Sequence, residues 1–150
     1  MSLLTFLTHF ADPRIEDRPP PTLVSDCRAI AVVVDDDPGM RTLMTMSLEQ
    51  VGYQVIAVAC AADAITKAQL VGRLDLVVAD LELHGVQGPA VVDALRAISG
   101  YMPVVYVSDY HEGLIGVADP IMRKPFLCGE WLRAVASVVG VLPKDKLLAA

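Results

Sequence analysis

Ile30-Ala31-Val32-Val33-Val34 runs directly into Asp35-Asp36-Asp37. A β-branched run with no polar alternation marks a strand covered on both faces. Three carboxylates end it abruptly, and Asp37 suits the cap of a following helix. Outward from there the chain alternates. Met40, Met44, Leu48 and Val51 form a helical stripe closed by Gly52, and Val55–Val58 is a second strand. Ala61, Ala64, Ile65, Ala68 and Val71 give a second helix ending near Gly72, and Leu74–Ala79 a third strand. Pro89 opens a helix with Val91, Leu95 and Ile98 inward, since proline suits a first helical position. Val104–Val107 is a fourth strand and Ile121–Met122 a weak fifth. Cys128, Leu132, Val135 and Val139 outline the last helix, stopped at Gly140. Met40, Met44 and Met46 read as helix packing. Such alternation predicts an α/β fold: a parallel sheet with helices on both faces, and ligands beyond the carboxyl ends of the strands.

The chain has 150 residues and a formal net charge of −6, with 54% hydrophobic residues. That composition excludes disorder for the bulk of the chain. The acidic balance argues against direct nucleic-acid binding, which needs a basic face to neutralise phosphates. No apolar run approaches the roughly 18 residues of a membrane span, so no membrane insertion is expected. Cys27, Cys60 and Cys128 contain no C-x-x-C pair and support neither a zinc ribbon nor a disulfide framework. A reducing cytoplasm is the expected location. Residues 1–28 stand apart. Leu3, Phe6, Leu7 and Phe10 make a short amphipathic stripe without a secretory pattern, and Pro13 and Pro19 to Pro21 make a linker. The expected organisation is this segment at 1–28, the main domain at 29–142 and a C-terminal tail at 143–150. The stripe is expected to dock on the domain or on a second copy, because so short a lone helix is marginal in water.

The residues just past the strands carry the chemistry. Asp35, Asp36 and Asp37 follow the first strand, Asp80 the third, Ser108 the fourth, and Lys124 with Pro125 the fifth. Neighbouring carboxylates repel unless a cation lies between them. Mg²⁺ takes one or two carboxylates plus waters and phosphate oxygens. An aspartate can also serve as a nucleophile toward phosphorus, and phosphoryl transfer then rests on positioning and charge neutralisation. A divalent ion, a lysine and a hydroxyl donor would cover the phosphoryl oxygens. His9, His84 and His111 show no ligand spacing and read as solvent-facing residues.

Four motifs together, VVVDDDPGMR (Val32–Arg41), LDLVVADLELHGVQG (Leu74–Gly88), PVVYVSD (Pro103–Asp109) and RKPF (Arg123–Phe126), resemble the receiver domain of bacterial two-component response regulators. The resemblance covers about residues 29–140. It implies a doubly wound, flavodoxin-like, five-stranded parallel sheet of order 2-1-3-4-5. It implies Mg²⁺ as cofactor, held by Asp35, Asp36, Asp80 and the backbone carbonyl of Glu82, with Asp36 the more direct of the acidic pair. Asp80 is the implied phosphoacceptor, Ser108 the donor to the phosphoryl group, and Lys124, before a typically cis proline, the partner of a phosphoryl oxygen. The implied phosphodonor is a sensor histidine kinase or a histidine phosphotransfer protein. The domain is expected to be a signalling switch and not an enzyme, beyond self-catalysed phosphorylation and dephosphorylation.

There are departures. His84 stands where the family often has proline, and Ile121 replaces the aromatic switch residue. The interval from Ser108 to Lys124 is short by more than one helical turn, so the helix between strands four and five is expected to be reduced or absent. Only ten residues follow Gly140. The expected output is therefore an unknown partner protein, or self-association such as a homodimer. One alternative is a receiver-like interaction module that works without phosphorylation. Another is a haloacid-dehalogenase-type phosphatase using Asp35 and Asp37 as nucleophile and acid, a reading that leaves Asp80 idle.

Overall fold

The computed structural model describes residues 28–109 and 118–148. Its elements, in chain order, are β1 (Ile30–Val34), α1 (Pro38–Gln50), β2 (Gln54–Val58), α2 (Ala61–Val71), β3 (Leu76–Asp80), β4 (Glu82–Leu83), β5 (Val86–Gln87), α3 (Gly88–Ser99), β6 (Val104–Ser108), β7 (Ile121–Arg123), α4 (Cys128–Val139) and α5 (Pro143–Leu148). Five strands form one sheet in the order β2-β1-β3-β6-β7, with every pairing parallel. This is the expected 2-1-3-4-5 order, with the β4–β5 pair set outside it. The expected N-terminal stripe (1–28, of which only residue 28 is described) and most of the shortened 109–120 segment lie outside the described residues.

Side chains alternate across a strand, and two cores follow from that. Val32, Val34, Val77, Ala79, Val104 and Tyr106 face α2 and α3. Ala31, Val33, Leu76, Val78, Val105 and Val107 face α1 and α4. β1, β3 and β6 are almost wholly buried, which explains their unbroken apolar sequence. β2, at the edge, is less buried, with Ile56 and Val58 packed into one core and Val55 against the other.

The helices follow the expected stripes with three corrections. Met44 and Leu48 are fully buried on α1, but Met46 points outward and is exposed. Val71, counted in the second stripe, is also exposed. On α4 the buried positions are Trp131 and Val135, flanked by Leu132, Val138 and Val139, while Cys128 is exposed. Trp131 sets the phase of this helix because an indole is the largest apolar group available to bury. Its Nε1–H donates to Ser47 Oγ at 2.9 Å, Ser47 donates to the Met44 carbonyl at 2.9 Å, and Phe126 stacks on its ring at 5.4 Å. The segment expected as a tail is helical over Pro143–Leu148. The Lys144 N–H donates to the Val51 carbonyl at 2.9 Å. Gly52, at φ +102°, leaves the room this needs, since a Cβ there would press on Lys144 and Pro143.

Ser47→Ala should therefore strand a buried indole N–H. We expect a loss of about 1–3 kcal/mol in denaturant unfolding, and a change below about 0.5 kcal/mol would show the bond to be unimportant. Tyr53 and Tyr106 are buried, and burial first, then the nearby Asp75 and Asp119, pushes each phenol up to about 12. Unfolded phenols ionise near pH 10. Their contribution to stability is thus complete below about pH 10 and is lost as pH rises to about 12. Tyr53→Phe and Tyr106→Phe should each remove phenolate absorbance that appears near pH 12. Loss of amplitude near pH 10 instead would contradict this.

Candidate functional site

Asp35 follows the last residue of β1, Asp80 ends β3, Ser108 ends β6 and Lys124 follows β7. Parallel pairing brings all four to the same edge of the sheet. The register fixes their levels: Asp80 pairs with Val107, Ser108 pairs with Arg123, and the Lys124 N–H donates to the Ser108 carbonyl at 2.8 Å. Asp35, Asp80, Ser108 and Lys124 are all buried.

Lys124 reaches back over β6 to both central strands. Its Nζ lies 2.7 Å from Asp35 Oδ2 and 2.8 Å from Asp80 Oδ2. The second oxygen of each carboxylate is held by backbone. The Asp37 N–H donates to Asp35 Oδ1 at 2.9 Å, and the Glu82 N–H donates to Asp80 Oδ1 at 3.1 Å. Burial pushes the Asp35 carboxyl up, against the pull of Lys124 and the Asp37 N–H, and the nearby Asp80 charge adds to the rise. Burial works against the Lys124 charge, but its bonds to Asp35 and Asp80 outweigh this and hold its pKa above the usual lysine value. The Lys124–Pro125 peptide bond is cis.

Asp36 lies toward solvent. Asp35, Asp36 and Asp80 each offer a carboxylate oxygen, and these atoms all lie within 4.8 Å of one another. Hard oxygen donors at that spacing fit a hard divalent cation. Asp37 is turned away to cap α1, its Oδ1 accepting from the Gly39 N–H at 2.9 Å and the Met40 N–H at 3.3 Å. That role leaves no Asp35/Asp37 pair for a phosphatase of the dehalogenase type. Arg41 Nη1 donates to the Asp35 carbonyl at 2.7 Å and braces the start of α1 against the site.

Sequence reasoning missed the small hairpin after Asp80. Glu82 pairs with Gln87 and Leu83 with Val86. The turn between them, His84-Gly85, has positive φ at both residues, +47° and +83°, as a tight I′ connection requires. Leu83 is buried in the core. The Gly88 N–H closes the loop on the Leu81 carbonyl at 2.8 Å, and any Cβ on Gly88 would collide with the Asp80 carbonyl oxygen. His84 was expected merely to face solvent. Its side chain is exposed, but Nε2 lies 3.3 Å from Asp36 Oδ2. The His84-Gly85 dipeptide, with Gly88 three residues further on, was the available clue. Proline cannot adopt φ +47°, so this loop takes a course closed to the family's usual residue.

The known proteins that this chain resembles are response regulators and receiver domains. The DNA-binding response regulator MtrA of Mycolicibacterium smegmatis is 36% identical over 101 residues, 63% of this chain and 43% of that protein. The chain spans about half the length of the curated relatives it matches. A response regulator receiver protein from Sinorhizobium medicae superposes with a TM-score of 0.66 at 28% identity, covering 76% of this chain and 96% of that one. Response regulator TrrA from Thermotoga maritima, solved in complex with Mg²⁺ and BeF, gives a TM-score of 0.63 at 25% identity, covering 73% of this chain and 98% of that one. No described helix is long and apolar enough to cross a membrane. Residues 31–126, which span β1 to Phe126 and hold every strand-end residue above, match the response regulator receiver domain model, and the chain belongs to that family.

Proposed function

We propose that the chain is a phosphorylation-controlled receiver that accepts a phosphoryl group on Asp80 and signals through protein–protein contacts. The observation that carries this reading is the Lys124 ammonium lying between Asp35 and Asp80, beside Ser108 and Asp36, at the carboxyl edge of the sheet. The proposed donor is the phosphohistidine of a sensor kinase or of a phosphotransfer protein. An Asp80 carboxylate oxygen attacks phosphorus, the P–N bond breaks, and the departing imidazole nitrogen keeps the electron pair and takes up a proton. The product is an acyl phosphate on Asp80.

Asp35, Asp36 and Asp80, with the Glu82 backbone carbonyl, would hold Mg²⁺, which neutralises charge on the phosphoryl oxygens when bound. Lys124 supplies a second, fixed positive charge to one of those oxygens, and Ser108 donates a hydrogen bond to another. The Glu82 N–H keeps the Asp80 carboxylate oriented. Burial of Asp80 and Lys124 limits water at the acyl phosphate and strengthens each charge contact. The DNA-binding role named for MtrA belongs to that protein. With a net charge of −6, this chain is read as acting through protein surfaces and not on nucleic acid directly.

Incubation with a small-molecule phosphodonor and Mg²⁺ should add one phosphoryl mass to the wild type and none to Asp80→Asn. A phosphoryl adduct on Asp80→Asn would overturn the assignment, and no adduct on the wild type would favour the phosphorylation-independent module. Asp36→Ala should weaken Mg²⁺ binding at least tenfold in calorimetric titration and slow the adduct's appearance. Unchanged Mg²⁺ affinity would remove Asp36 from the ligand set.

A further inference from the structure

We propose that His84 is a nitrogen ligand of the acidic site, which thereby takes imidazole-preferring first-row divalent cations such as Co²⁺, Ni²⁺ or Zn²⁺ more tightly than its carboxylates alone would. The inference rests on the reading that Asp35, Asp36 and Asp80 hold a divalent cation. It adds a donor of different chemistry.

Three observations converge. The first is placement. His84 occupies the tip of a hairpin whose base is fixed on both sides, by Leu83 in the core and by the Gly88 N–H on the Leu81 carbonyl. The backbone that carries the imidazole is therefore anchored beside the site, and the ring itself reaches Asp36. The second is distance. His84 Nε2 is 3.3 Å from Asp36 Oδ2. Two ligand atoms bound to one metal at about 2.0–2.1 Å stand about 2.8–3.0 Å apart in octahedral geometry and about 3.3–3.4 Å apart in tetrahedral geometry. The observed pair has the length of a tetrahedral edge.

The third observation is the split of the site into two sides. Lys124 claims the Oδ2 atoms of Asp35 and Asp80 from within. Asp36 and His84 lie on the solvent side, at 36% and 75% side-chain exposure, where a cation enters. The exposed imidazole has room to turn toward an ion shared with Asp36. Mg²⁺ prefers oxygen donors and retains waters, so it gains nothing from imidazole. Later first-row cations bind imidazole well, and their affinity rises along the series toward copper. His84 thus separates the two classes: it leaves Mg²⁺ binding alone and raises that of Co²⁺, Ni²⁺ and Zn²⁺.

The test uses the full chain, with calorimetric titration of Mg²⁺ and of Co²⁺ into wild type, His84→Asn and Asp36→Ala. Asparagine tolerates the positive φ at this turn, so the hairpin is preserved, and His84→Ala serves as a second variant. The Co²⁺ absorption spectrum and the His84 imidazole NMR signal report ligation directly. We expect His84→Asn to lose about tenfold in Co²⁺ affinity, to change the Co²⁺ spectrum, and to keep its Mg²⁺ affinity. In the wild type, Co²⁺ should shift and broaden the His84 signal. Equal Co²⁺ affinity and an identical spectrum in both His84 variants would overturn the proposal. So would a parallel loss of Mg²⁺ and Co²⁺ affinity, which would make His84 only a brace for Asp36. Failure of the underlying reading looks different: Asp36→Ala would bind Mg²⁺ as the wild type does.

Discussion

Two strand ends of this sheet would repel each other without Lys124. Asp35 and Asp80 lie on neighbouring strands, both buried, with their Oδ2 atoms turned to one point. Removing carboxylates from water is costly, and placing two of them together adds repulsion. One ammonium answers both terms. It comes from the far edge strand, two strands from Asp80 and three from Asp35 in the sheet order. The contact therefore fixes the position of β7, a short strand with only half-buried or exposed residues and little packing of its own. The parallel order of the sheet, the burial of its carboxyl edge and the chemistry of the site all meet at that nitrogen.

Because Lys124 takes one oxygen of each carboxylate, the backbone can take the other. Asp37 N–H on Asp35 links the site to the cap of α1, and Glu82 N–H on Asp80 links it to the hairpin. A change at Asp80 is thus felt in two places at once: in the turn that carries His84 and at the β6–β7 edge, where Lys124 is bonded to Ser108. Adding charge to Asp80 would draw on Lys124 and loosen its hold on Asp35. Such a transfer of partner gives a receiver two arrangements of the same residues, which is what a switch requires. The inner side of the site holds a fixed cation, and the outer side is open to an exchangeable one.

Much of this was legible in the sequence. IAVVV before three aspartates, LVVAD and VVYVS are strands buried on both faces, and that burial leaves an unbroken apolar run as its trace. Their ends named Asp35, Asp36, Asp80, Ser108 and Lys124, because a parallel sheet collects the carboxyl ends of its strands on one edge. The hairpin Glu82–Gln87 was not legible. Two-residue strands leave no periodicity, and Leu83 is the only part of it that enters the core. On α4 the stripe of Leu132, Val135 and Val139 packs in the core as expected, but its first member, Cys128, is exposed and Trp131 is buried beside the others. The contact of His84 with Asp36 is tertiary and had no sequence signal beyond the turn itself.

The direct test of the central claim is the unfolding free energy of Lys124→Met, measured with a chelator and again with saturating Mg²⁺. Methionine keeps an unbranched stem one atom shorter and removes the ammonium, with its charge and its hydrogen-bond donors. The account predicts a loss of about 3 kcal/mol without metal, the cost of leaving two buried carboxylates facing each other, and a larger stabilisation by Mg²⁺ than the wild type shows. Wild-type stability in the presence of chelator would contradict it, because Asp35 and Asp80 would then have no need of the ammonium between them.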